Sequence, residues 1–193
     1  MSDSIDLLQR IDEDRGLAAL LAEVFEFDVM RKAAADSPRL ASGLPLESIA
    51  GDFTGGKFYL CGNAGSVRPV LYASSDGDAG VVATDLREAL ALIVGFPYWR
   101  DCLGYSADGD LDAMQSAAVF LGRDLIANRP TIAVEQSRIA ESLRLTLEPP
   151  SVLVARLHSV VKNAGPDFTF IDDTGEYGGL FGPFPPSRNK FWQ

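Results

Sequence analysis

The chain has 193 residues, 47% apolar and 23% charged, with 27 acidic against 17 basic side chains, a net charge of −10 and one histidine. That length suits one domain with a sizeable core, and the apolar share excludes wholesale disorder. No apolar run approaches the ~18 residues of a spanning helix, and the opening MSDSIDLLQRIDEDRG has neither the basic nor the apolar stretch of a secretory signal. An acidic chain without a basic patch is repelled by phosphate backbones, so nucleic acid and membrane are not expected partners. The two cysteines, Cys61 and Cys102, make no CxxC or finger pattern and read as reduced thiols of a cytoplasmic protein.

In chain order, Leu7, Leu8, Ile11, Leu17, Leu20, Leu21, Val24 and Phe25 keep helical spacing, which predicts helix from Ile5 to about Ala35. Gly16 is a candidate interruption, and Asp36-Ser37-Pro38 a stop. Leu46 to Ala50 reads as a helical turn, followed by the turn residues Gly51 to Gly56. Three strands are then expected: Lys57–Cys61, Arg68–Ser74 and Gly80–Ala83. Their separators, Gly62-Asn63-Ala64-Gly65 and Ser75-Asp76-Gly77-Asp78, are short and turn-prone. Connections this short favour antiparallel neighbours, hence a meander.

Thr84 or Asp85 is placed to cap a helix carrying Leu86, Leu90, Ile93 and Val94. Pro97 suits the first turn of a short helix ending near Leu103. Asp108-Gly109-Asp110 opens a helix from Leu111 to about Asn128, and Thr131–Leu145 and Ser151–Asn163 complete a C-terminal helical block. From Phe168 to Gln193, glycines and prolines alternate with aromatics; this tail is either a hairpin laid on the domain or a flexible arm. The organisation expected is a domain over 1–166 and a Gly/Pro/aromatic tail over 167–193.

Gly51 to Lys57 matches GxxxxGK, but Phe58 replaces the Ser or Thr that would hold magnesium. A strand follows where a phosphate loop needs a helix, so the segment reads as a turn. Asp108, Asp110 and Asp112 resemble the start of a calcium loop, yet the twelfth position is Val119, and helix capping accounts for the acids. Other acids cluster at Asp76 and Asp78 and at Asp172, Asp173 and Glu176. His158 lies near the edge of an apolar helix face with no recognisable nucleophile context. The expectation is therefore no catalytic residue, no cofactor and no metal, and the chain reads as a non-enzyme. The densest aromatic segment, Phe96-Pro97-Tyr98-Trp99-Arg100-Asp101, reads as core first and as a binding surface second.

Between Leu44 and Leu103 the order of residues resembles the SUKH superfamily, which unites a yeast cell-wall-synthesis regulator with many bacterial toxin-immunity proteins. The similarity rests on Leu46-Glu-Ser-Ile49-Ala50, Asp52-x-Thr54-Gly-Gly56, Phe58 to Cys61, Arg68 to Tyr72, Gly80 to Ala83 and Asp85 to Ile93. The N-terminal Leu-Pro segment of the family is present only as Leu44-Pro45, and the helical block after Asp108 exceeds the minimal domain. The resemblance implies an α+β fold, an antiparallel meander sheet packed by helices, here with an extra C-terminal helical block. It also implies a function by binding: an immunity protein held to a protein partner such as a basic toxin domain, or a regulatory scaffold. An unrecognised hydrolase or transferase is the reading from another class. Partner contacts are expected at the sheet rim and the aromatic segment: Tyr72, Asp76, Asp78, Tyr98, Trp99 and Arg100. Oligomeric state is not legible.

Overall fold

The computed structural model describes residues 3–32 and 38–192. Two amphipathic helices open the chain, α1 (Asp3–Glu13) and α2 (Arg15–Phe25). They bury Leu7 and Ile11, and Leu17, Leu21 and Phe25, at helical spacing. The break between them is made by Asp14, whose carboxylate accepts from Gly16 N and Leu17 N at 3.0 Å and caps α2. Helix stops at Phe25, ten residues before the expected end at Ala35. Glu26 turns left-handed (φ 55°), Phe27 drops back into the core, and Asp28 bridges to Gly51. Sheet pairing thus overrides local helical propensity. The Asp36-Ser37 stop lies outside the described residues.

Four strands form an antiparallel meander in sequence order: β2 (Leu46–Gly51), β3 (Lys57–Cys61), β4 (Val70–Ala73) and β5 (Ala79–Ala83). A two-residue strand β1 (Arg39–Leu40) precedes them. Leu46 to Ala50 is therefore strand, not the helical turn expected. It pairs with β3 from Leu46↔Cys61 to Gly51↔Lys57, with a bulge between Ser48 and Ala50. As an edge strand with exposed Glu47, it lacks the apolar run that marked its neighbours.

Both faces of the meander are covered, which is why β3 and β4 read as continuous apolar runs. Phe58, Leu60, Val70 and Tyr72 point to the helices; Tyr59, Cys61, Leu71 and Ala73 point the other way. On the helical side, α3 (Leu86–Gly95) is capped by Asp85, and Glu88 reaches back to Thr84 N and Oγ1. It is buried nearly all round, touching α1, α2, α6, α7 and β5. The block is completed by α4 (Trp99–Gly104), α5 (Leu111–Asn128), α6 (Ile132–Leu143) and α7 (Pro150–Asn163). Asp110 caps α5 through Ala113 N at 2.7 Å.

The tail from Phe168 lies on the domain. Its hairpin, β6 (Phe170–Asp172) and β7 (Gly175–Glu176), joins β1 in a second antiparallel sheet over the outer face of the meander, with Phe170 against Tyr59 at 5.4 Å. The chain then crosses the end of β5, where Ala79 N donates to Gly178 O, and runs along the α4–α5 loop. It ends with Trp192 stacked on Phe120 and donating to Asp124.

Candidate functional site

A cleft of about 680 Å³ opens at the end of the meander where β4 turns into β5. Its floor is built from the turn that mimicked a phosphate loop. Asp52, 1% exposed, closes that turn: Oδ1 accepts from Thr54 N (2.8 Å), Thr54 Oγ1 (2.7 Å) and Gly56 N (2.8 Å). Gly56 has no substitute here, since a Cβ would stand 2.5 Å from Asp52 Oδ2. Oδ2 accepts from Tyr72 Oη at 2.7 Å and from Arg100, which also pairs with Glu26. One guanidinium thus lies between two carboxylates. Burial lowers the Arg100 pKa from its ordinary value, and burial followed by the Asp52 bond raises that of the Tyr72 phenol. Beneath the ions runs a chain of rings, Phe27, Phe58, Tyr72 and Trp99, with centroids 5.0 to 5.2 Å apart between consecutive members.

Two walls rise from this floor. One is the β4–β5 turn, where Ser74 Oγ accepts from Asp76 N and Asp78 N and holds two exposed carboxylates above the cleft. The other is the tail strap, Gly179 to Phe184, laid against Leu103, Gly104 and Tyr105. The strap is held by backbone bonds: Gly182 N to Leu103 O (3.0 Å), Asp108 N to Gly182 O (2.9 Å) and Ala107 N to Phe184 O (3.1 Å). Ala107 and Asp108 both carry positive φ (47° and 63°), left-handed backbone that pairing to the strap sustains. His158 braces the same corner. It is buried rather than at a helix surface, donating from Nε2 to Gly109 O at 2.9 Å and lying 5.6 Å from the Phe181 ring. That bond leaves Nε2 committed to structure.

Of the six residues expected at a partner surface, five line this cleft: Tyr72, Asp76, Asp78, Trp99 and Arg100. They do so in different ways. Asp76 and Asp78 stand exposed on the rim, Arg100 is partly buried, and Tyr72 and Trp99 are 3% and 2% exposed, so they are floor and core. Tyr98 is half-buried and lies outside the lining. Asp101 ends the aromatic segment read as core first and binding surface second, and the strap belongs to the tail read as a hairpin or an arm; Glu26 and Asp52 were not anticipated at a site. The Asp-x-Thr-Gly-Gly turn carries the side chain-to-backbone chemistry that could have marked Asp52; nothing local marks Glu26.

The lining holds four carboxylates, Glu26, Asp76, Asp78 and Asp101, against one guanidinium that is already paired. Cys61 and Cys102 are buried in different clusters, burial pushing each thiol up to about 12. Among the described residues no three His, Cys, Asp or Glu side chains are grouped to hold a metal, and no helix is long and apolar enough to cross a membrane. No family model, curated protein or solved structure matches the chain.

Proposed function

We propose that this is a non-catalytic protein-binding domain of SUKH type, an immunity protein that acts in the cytoplasm and neutralises a cognate bacterial toxin by direct binding. The observation that carries the reading is the acid-lined cleft at the rim of the meander. Three carboxylates of the lining, Asp76, Asp78 and Asp101, stand exposed, and the one cation among them is spent on Glu26 and Asp52. Such a surface complements a basic partner and speeds its approach, and the active sites of nucleases are basic. The engagement of His158 Nε2 and the burial of both thiols favour binding over nucleophilic or acid–base chemistry.

The test is capture from the native host with the full chain as bait. The expected result is one-to-one recovery of a basic protein encoded beside it, with association slowed as salt is raised. Failure of any neighbouring gene product to co-purify, with the chain folded, would sink the immunity reading.

A further inference from the structure

The cleft has a more specific fit than general acidity. Its aromatic and apolar lining is close to its rim acids: Trp99 in the floor, Tyr105 beside it, and Leu180 and Phe181 from the strap. A ligand seated there meets the partly buried side chains of Tyr105, Leu180 and Phe181 on the way in and carboxylates at the mouth. The volume, about 680 Å³, is within the range of ordinary ligand pockets and ample for one long side chain. On the floor the protein's own Arg100 guanidinium takes up the Tyr72 and Trp99 rings, 5.7 Å and 6.0 Å from their centroids, which leaves the partly buried Tyr105 and Phe181 as the aromatic contacts for a ligand. With Arg100 neutralised from both sides, the field left in the cleft comes from the rim.

From this we infer that the cleft is a receptor for a single arginine side chain presented by a loop of the protein partner, its guanidinium held by Asp76 and Asp78 and its stem packed along the strap. The assignment rests on the protein-binding reading above and names the group recognised. Arginine fits better than lysine because its planar, weakly hydrated head both stacks on rings and forks onto carboxylates, whereas an ammonium is a compact, strongly hydrated charge. The pairing is also economical in specificity: a loop carrying Asp or Glu would meet like charge from the rim. Asp76 and Asp78 are suited to the task, since among the described residues neither has an ion-pair partner.

The chain has two tryptophans, one in the cleft and one at the far end of the tail, so their indole N–H signals report site and control separately. The probe is an acetylated, amidated Gly-Gly-Arg-Gly-Gly peptide titrated into the full chain, beside the same peptide with citrulline in place of arginine. The expected result is saturable movement of the Trp99 signal with millimolar affinity, none at Trp192, and no saturation with citrulline. The double variant Asp76→Asn/Asp78→Asn should weaken the arginine peptide about fivefold, the size expected of two partly screened ion pairs. Equal response to the citrulline peptide, an immobile Trp99 signal, or unchanged affinity in the double variant would each overturn the assignment. A protein partner that binds the double variant as tightly as the wild type would also overturn it, while leaving the protein-binding reading in place. Saturable arginine binding with no co-purifying protein supports the site and counts against the toxin reading.

Discussion

The floor and the rim of the cleft use the same carboxylate chemistry to opposite ends. On the floor, Asp52 is fully buried and accepts five hydrogen bonds, from Thr54 twice, Gly56, Tyr72 and Arg100. Every lone pair is spoken for, and the group serves to tie the β2–β3 turn to β4 and α4. On the rim, Asp76 and Asp78 stand in water on a five-residue turn whose shape comes from Ser74 Oγ and backbone bonds. The lesson is that burial decides the role of a charge. A desolvated carboxylate is tolerated only when fully paired and becomes a structural joint, whereas a solvated one remains available to a partner.

That contrast can be broken first at Arg100. Arg100→Met keeps much of the stem but strands two carboxylates, one of them buried. Removing one partner of a buried pair costs about 3–5 kcal/mol, so the urea midpoint should fall sharply. A midpoint unchanged within error would mean that the floor is not a joint at all. Tyr72→Phe is milder, because it deletes one donor to Asp52 and leaves the ring chain in place. A lost hydrogen bond to a charged group predicts about 1.5–3 kcal/mol, readable in the same denaturation series.

The strap wall is probed by Gly182→Ala. A Cβ at that position would stand 2.5 Å from the Gly104 carbonyl oxygen, a backbone atom that cannot swing aside. Overpacking of this kind predicts a loss of about 1–3 kcal/mol, together with faster chymotryptic cleavage at Phe181 as the strap lifts. Cleavage rates equal to wild type would show that the strap is not held by this close approach. The smallest effect belongs to the rim: Asp76→Asn/Asp78→Asn should change stability by no more than about 0.5 kcal/mol while lowering affinity for a basic partner. A large loss of stability in that variant would erase the distinction between floor and rim.

Much of the fold was legible because its signals are local. The β3 run Lys57–Cys61, the α5 span Leu111–Asn128 with Asp110 as cap, and the meander inferred from short turns all follow from periodicity and turn chemistry within a few residues. The misreadings have one origin. Helix was carried too far past Phe25, and Leu46 to Ala50 was read as a helical turn, because their true states depend on pairing: Asp28 with Gly51, and β2 with β3. The candidate site was partly legible for the same reason. Asp76 and Asp78 advertise a turn and Trp99 and Arg100 an aromatic segment, but the partners of Arg100, Glu26 and Asp52, are 74 and 48 residues away in sequence.

By itself, then, the sequence determined that the chain is acidic and globular, that it carries a meander followed by a helical block, and that GxxxxGK is a turn, since each of these is written in composition, periodicity or immediate neighbours. Only the tertiary structure decided which acids are joints and which remain available, that His158 braces a loop, and that the tail supplies a wall of the cleft. Those outcomes depend on desolvation and on contacts between distant segments, and no local pattern encodes them.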